Sequence, residues 1–204
     1  MSFTAIFNCD LFTPDQCVAQ GLVLIERNQI RAVGHSHEIP LPADTRLLDA
    51  QGGRVTPGLI DLGGVSSVNQ QMAARGVTSS VKAVWETQWG IPDEVTIESG
   101  RYYLATIDHV RSANPSVLRT LLSSHHLILA GNEAEPLNTR SIRQLMASAD
   151  TDFASALAAA TLAPAKFLDL PLGLLAAGTP ADLICWTRHG DLAWTMVNGE
   201  IVYP

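Results

Sequence analysis

Apolar and polar positions alternate, or form short apolar runs, at both ends of the chain, and this pattern is typical of β-strands. Residues 21–34 predict one hairpin, and residues 192–203 predict another with Asn198-Gly199 at its turn. An Asn-Gly pair between apolar runs is a strong hairpin signal, because both residues tolerate positive φ. Since two strand-rich ends must bury their apolar faces, we expect them to form one β-sandwich together.

Helical spacing takes over in the middle of the chain. Short apolar runs at residues 77–84 and 127–131 predict buried strands, and residues 93–113 show no clear period. The whole pattern predicts a mixed α+β or α/β protein. Four segments predict helices: residues 67–75, a helix starting at Asn114-Pro115, residues 138–149 and residues 151–168.

Composition narrows the class of protein further. The 204 residues are 47% hydrophobic and 16% charged, which is enough apolar material for a core. A net charge of -7 disfavours nucleic acid and anionic membrane surfaces as partners. The chain has no apolar run of about 18 residues and no basic residue ahead of its first apolar ones. Its three cysteines form no C-x-x-C pair, so we expect reduced thiols in a cytoplasmic protein.

Two parts of the chain carry recognisable motifs. The sequence VTPGLID occupies residues 55–61, and ATLAPAK at residues 160–166 is followed by ADLI at 181–184 and VNGEIV at 197–202. Together they resemble the amidohydrolase superfamily, the metal-dependent hydrolases that include dihydroorotase, imidazolonepropionase and N-acetylglucosamine-6-phosphate deacetylase. The resemblance covers about half the chain. It implies a composite β-sandwich built from both chain ends, with a βα barrel inserted between them.

The positions that this resemblance assigns to metal ligands carry other residues. A His-x-His motif after the first barrel strand would present two imidazoles to one metal ion, but Gly63 and Val65 occupy those positions. Asn132 stands where the family has an aspartate that binds metal and handles a proton, and an amide cannot act as a general base. Asp61 belongs to the strand motif and is not normally a ligand. The sequence therefore predicts no cofactor, where the family would use zinc or another divalent metal.

Chain length predicts an incomplete barrel. A full eight-fold barrel needs about 250 residues and one βα unit about 30, whereas only about a hundred residues separate Leu62 from Pro164. We therefore expect a composite sandwich domain of residues 1–56 and 170–204, and a truncated α/β domain of residues 57–169. Exposed sheet edges would need cover from a homodimer or from a partner subunit.

Other histidines and tryptophans offer fallback sites. Trp85 and Trp89 are candidates for the lining of a ligand cleft, although aromatic side chains more often fill a core or an interface. The His-x-His at residues 35–37 predicts a solvated loop. His125 and His126 are adjacent, and the simpler interpretation places them at a helix end. A rearranged metal site would have to draw on Asp61, His109, His125 and His126.

Three hypotheses of function follow. The first is a catalytically degenerate amidohydrolase-like protein that acts as a binding or interaction module, with a small-molecule ligand or a protein partner. The second is a hydrolase acting on carbon–nitrogen bonds other than peptide bonds, with a rearranged metal site. The third is one part of a split amidohydrolase whose remaining barrel units lie in another chain.

Overall fold

The computed structural model describes residues 2–12, 16–63, 70–81, 89–98, 101–132 and 134–204. The chain forms two compact units. The first unit consists of Met1–Gly58, Gln70–Thr78 and Leu174–Pro204, and the second of Leu59–Asn69 and Ser79–Gly173. The predicted boundaries at residues 56 and 170 stay predictions.

Strands dominate both ends of the chain and helices its middle. The strands are β1 (Phe3–Phe12), β2 (Cys17–Glu26), β3 (Gln29–His35), β4 (Arg46–Pro57), β5 (Leu59–Asp61), β6 (Val77–Ser80), β7 (Tyr103–Ala105), β8 (Leu127–Leu129), β9 (Leu183–Trp186), β10 (Leu192–Val197) and β11 (Glu200–Tyr203). The helices are α1 (Gln70–Ala73), α2 (Ile107–Ser112), α3 (Pro115–Ser123), α4 (Thr139–Ala149), α5 (Phe153–Ala158) and α6 (Leu162–Phe167).

The first unit is built on one large sheet of seven strands in the order β11-β10-β9-β4-β1-β2-β3. Only β1 and β4 run parallel, and the other neighbours are antiparallel. The pairing of β4 with β9, from Arg54↔Trp186 to Pro57↔Leu183, joins the two ends of the chain. The mixed α/β class is confirmed, as are both hairpins. Strands from both chain ends pair into one sheet, and the composite sandwich itself stays a prediction.

The larger core cluster of the first unit lies on one face of this sheet, and a smaller one, of Ala5, Leu22 and Leu24, lies on the other. Ile30 N–H donates to the Thr179 carbonyl and Ala181 N–H donates to that of Asn28, so the sheet curls. The buried indole of Trp186 donates to Thr56 Oγ1 at 2.9 Å. All three cysteines are free, and burial raises the pKa of Cys9 and Cys185 to about 12. The largest core side chains of this face include Ile6, Leu11, Val23, Ile25, Val55, Leu183, Trp194 and Met196.

The second unit contains short strands. β7 and β8 pair in parallel, and Trp89 bridges to Leu104 on β7. The carbonyls of Ala159 and Ala160 accept hydrogen bonds from Leu129 N–H and Ile60 N–H, both at 2.8 Å. Residues 159–160 therefore link β8 to β5. The prediction of one helix over residues 151–168 is wrong, because these carbonyls serve the strands and the helix divides into α5 and α6.

Two helices of the second unit begin where their cap residues predict. Asn114 Oδ1 accepts from Ser116 N–H at 2.9 Å ahead of α3. Asn138 Oδ1 accepts from Arg140 N–H at 2.8 Å ahead of α4. Such caps satisfy N–H groups that have no partner within the helix. Over the described ranges, no helix is long and apolar enough to cross a membrane. The cytoplasmic location stays a prediction.

Candidate functional site

The carboxyl ends of β5 and β8 form the region where the sequence placed the metal-ligand positions. Asp61 ends β5 and is buried, with 3% of its surface exposed. Gly63 and Gly131 each lie two residues beyond a strand. In parallel α/β structures ligands bind at the carboxyl ends of strands, so this region is the natural candidate site.

The Asp61 carboxylate holds this region together. Its Oδ1 accepts from Gly63 N–H at 3.0 Å and from Gly131 N–H at 2.9 Å. The Asp61 backbone carbonyl also accepts from Val81 N–H at 3.0 Å, just after β6. One buried residue thus bonds to the chain following three strands. Hydrogen bonds to a charged acceptor are stronger than neutral ones, and the donors would otherwise be left unsatisfied.

Gly63 has no room for a side chain. A β-carbon built there would overlap the carbonyl oxygen of Gly131. A β-carbon at Gly131 would in turn overlap Leu137 N and lie 2.9 Å from Asp61 Oδ2. The two glycines therefore bring backbone against backbone where a metal-binding histidine would need space. Glycine in a buried strand often marks such a close approach of two backbones.

Asn132 turns its side chain into its own loop. Its side-chain Oδ1 accepts from the Glu135 backbone N–H at 2.6 Å, and its own backbone N–H donates to the Glu135 carbonyl at 3.1 Å. The Glu135 carboxylate binds the Arg111 guanidinium through two contacts, of 2.9 and 3.0 Å. The hydrogen bond to Glu135 is the main cause of a raised pKa at Arg111. Asn132 therefore closes a turn, with its only side-chain carbonyl oxygen already engaged.

His109 also serves its local backbone. It sits at the third position of α2, where its Nδ1 accepts from Thr106 N–H at 3.1 Å and lies 3.0 Å from Thr106 Oγ1. This reciprocal arrangement is a capping box, in which a side chain satisfies the first N–H groups of a helix. Asp61 lies at the carboxyl end of β5, and His109 follows the carboxyl end of β7.

His125 and His126 lie at the opposite end of the strands. The register pairs Tyr103 with Leu127, so His126 precedes the amino end of β8. The strand from there to its carboxyl end spans roughly 10 Å at about 3.3 Å per residue, whereas a zinc–nitrogen bond is about 2 Å. The structure therefore does not bring either histidine to Asp61 and His109.

The backbone at His125 explains this pair. His125 has φ +56°, and its N–H donates to the Leu122 carbonyl, while His126 N–H donates to that of Leu121. These two bonds form a Schellman motif at the end of α3. Burial first, then Lys166, lowers the pKa of His125. Both Nδ1 atoms are buried without a hydrogen-bond partner in the structure as described.

The structure describes only some of the remaining candidate residues. Val65 and Trp85 lie outside the described residues. Trp89 is 41% exposed beside β7, and its assignment to a ligand cleft stays a prediction. No group of three His, Cys, Asp or Glu side chains among the described residues could hold a metal ion. The described residues at this strand mouth therefore do not fit the metal centre that the resemblance implies.

Comparison with known proteins identifies the class. The profile of the amidohydrolase family matches residues 97–202, more than half of the chain. The chain therefore belongs to the amidohydrolase family. No curated protein sequence matches it.

Solved structures share the fold at low sequence identity. N-acetylglucosamine-6-phosphate deacetylase from Pasteurella multocida aligns with a TM-score of 0.66 and 11% identity, over 99% of this chain and 100% of that one. An enamidase aligns with a TM-score of 0.67 and 16% identity, over 99% and 96%. The β-aspartyl dipeptidase of Fervidobacterium islandicum gives a TM-score of 0.69 and 12% identity, over 98% and 97%. These likenesses establish the fold alone.

Proposed function

We propose that this chain is a catalytically degenerate amidohydrolase that acts as a binding or interaction module. The observation that carries the proposal is the contact between Gly63 and Gly131, which leaves no space for a histidine at the first ligand position. Metal-dependent hydrolysis needs a cation that lowers the pKa of its bound water to about 7. Among the described residues, the donors required to hold that cation do not come together at this strand mouth.

The carboxylate in this region supports the same conclusion. Asp61 Oδ1 already accepts two backbone N–H bonds, and the described residues contain no group of three His, Cys, Asp or Glu side chains that could hold a metal ion. The Asn132 amide has no accessible basic pKa, so it cannot take a proton from water. We therefore assign Asp61 a role in holding the backbone.

Metal analysis tests this proposal directly. The full chain, purified without a histidine tag and dialysed, should contain zinc, manganese and iron far below one ion per chain. Gly63→His restores a donor at that position, and we expect it to lower stability without raising the metal content. One or more tightly bound ions per chain, lost in Asp61→Asn, would overturn the proposal.

Activity assays provide a second test of the proposal. The structurally similar proteins are named for deacetylation of N-acetylglucosamine-6-phosphate and for cleavage of β-aspartyl dipeptides. Neither compound should turn over above the buffer rate when zinc or manganese is added to this chain. Metal-dependent turnover of either would support the alternative of a working hydrolase. Sedimentation of the same sample tests whether the chain forms the homodimer that the exposed edges predict.

A further inference from the structure

A polar groove opens on the first unit, within the large sheet. Its volume is about 490 Å³, and a neighbouring cavity of about 380 Å³ shares Arg188 with it. Both cavities lie within the first unit, so their shape depends on that sheet alone. The polar residues that line the larger groove are Asn8, Asp10, Gln20, Ser36 and Arg188, and Gly52 also lines it.

Three neighbouring strands deviate from regular pairing at this groove. β1 carries an extra residue relative to β2 at Asn8, β2 carries one relative to β1 at Gln20, and β4 carries two relative to β1 at Gln51 and Gly52. A β-bulge bends its strand and redirects a side chain, and bulges are frequent next to binding sites. Because three adjacent strands carry these bulges at the same place, the groove results from the pairing of the sheet itself.

The backbone at these bulges is held in an uncommon conformation. Asn8, Gln20 and Gln51 have φ of +55°, +51° and +55°, in the left-handed region. Asparagine tolerates that region, but glutamine has no such preference and its conformation costs free energy. Residues in this state gather at ligand-binding positions, so the outliers themselves indicate a function for the groove.

Arg188 provides the charge of the groove. Its Nε donates to the Gly52 carbonyl at 3.3 Å, and its guanidinium lies where a β-carbon at Gly52 would be. Within the described part of the chain, Arg188 forms no ion pair with a carboxylate. A guanidinium presents a planar fork of N–H donors that matches a carboxylate. The group is therefore available to an anionic ligand.

Two carboxylates restrict what that ligand can be. Asp10 lines the larger groove, where its Oδ1 accepts from Gln20 N–H at 3.3 Å. Asp49 lines the second cavity, and its Oδ1 accepts from Asn8 Nδ2 at 2.8 Å and Gln51 N–H at 2.7 Å. These charges, with a net charge of -7, repel a phosphate. A ligand with both a carboxylate and an ammonium group suits the mixture.

We propose that this groove binds a free α-amino acid or a similar small zwitterion, with the ligand carboxylate on Arg188 and its ammonium group toward Asp10. This groove would give the proposed binding module its location and its class of ligand, so the inference rests on that proposed function. Ser36 and Gln20, both polar, line the same groove.

Calorimetric titration of the full chain tests the site. The standard amino acids are titrated singly, beside acetate, methylammonium and phosphate. At least one amino acid should bind, and acetate and methylammonium should each bind about tenfold more weakly or worse, because each meets only one of the two charges. If phosphate binds more tightly than every amino acid, or if no amino acid binds at millimolar concentration, the proposal is wrong.

Matched variants locate the binding. Arg188→Met should weaken the binding of the amino acid by about tenfold or more. Arg31→Met removes the same charge from an exposed position of β3 outside the groove and should leave affinity unchanged. Gly52→Ala, which places a methyl group where the guanidinium lies, should also weaken binding. Equal affinity in Arg188→Met and the parent chain would refute the site. Metal content, measured separately, decides the proposed function independently of this outcome.

Discussion

The two units reach their folds in different ways. The first unit pairs strands of up to 12 residues, so each pair of residues contributes only a small part of the stability of the sheet. The second has strands of 3 residues at β5, β7 and β8, too short to hold a sheet by ladder bonds alone. Its strand ends are joined by single contacts, chiefly the Asp61 carboxylate and the carbonyls of Ala159 and Ala160. The difference predicts that point substitutions matter most in the second unit.

The sharpest test of this difference is Asp61→Ala. The change leaves the N–H groups of Gly63 and Gly131 without their acceptor in a buried region. We expect a loss of about 3 kcal/mol in the free energy of unfolding, measured by urea denaturation. Asp93→Ala, which removes an exposed carboxylate of the same unit, is the control. Equal unfolding midpoints for the two variants would show that the second unit does not depend on this contact.

Gly63→Ala tests the close approach of the backbone. A methyl group at this position overlaps the Gly131 carbonyl, so the chain must shift, and we expect a cost of about 1–3 kcal/mol. Gly34→Ala in the first unit is the matched control, because its nearest neighbours would lie 3.7 and 3.8 Å away. That variant should change stability by less than about 0.5 kcal/mol. If Gly63→Ala proves as stable as Gly34→Ala, a side chain fits at the strand mouth after all.

Thr56→Val provides the corresponding test in the first unit. It keeps the shape of the side chain but removes the acceptor of the buried Trp186 N–H, at an expected cost of about 1–2 kcal/mol. Thr4→Val, at a half-buried position of β1, should be close to neutral. Tryptophan fluorescence during urea unfolding measures both. If Thr56→Val lost more free energy of unfolding than Asp61→Ala, the first unit would be the more sensitive of the two.

The elements that sequence predicted well have local causes. The turn at Asn198-Gly199 formed because both residues adopt positive φ, at +51° and +80°. The helices after Asn114 and Asn138 begin at their cap residues. The class and the family were likewise readable, since VTPGLID and ADLI are contiguous motifs.

The features that sequence did not predict depend on distant partners. The helix over residues 151–168 is broken because Ala159 and Ala160 bond to strands far along the chain. The contact between Gly63 and Gly131 joins positions 68 residues apart, and glycine spacing alone does not reveal it. The groove at Arg188 was not foreseen either, because bulges on three strands come together only in the folded sheet.

The smallest expected effect tests whether His125 only ends a helix or also belongs to a site. His125 holds the left-handed position after α3, where glycine is favoured, so His125→Gly should stabilise the chain by about 0.5–1 kcal/mol. Its lowered pKa adds a pH dependence: below about pH 6.5 the unfolded imidazole takes up a proton that the folded one resists, so stability falls as pH decreases. That fall should be shallower in His125→Gly when unfolding is followed from pH 7.5 to 5.5. A destabilised variant with an unchanged pH slope would mean that His125 makes a contact beyond the helix end.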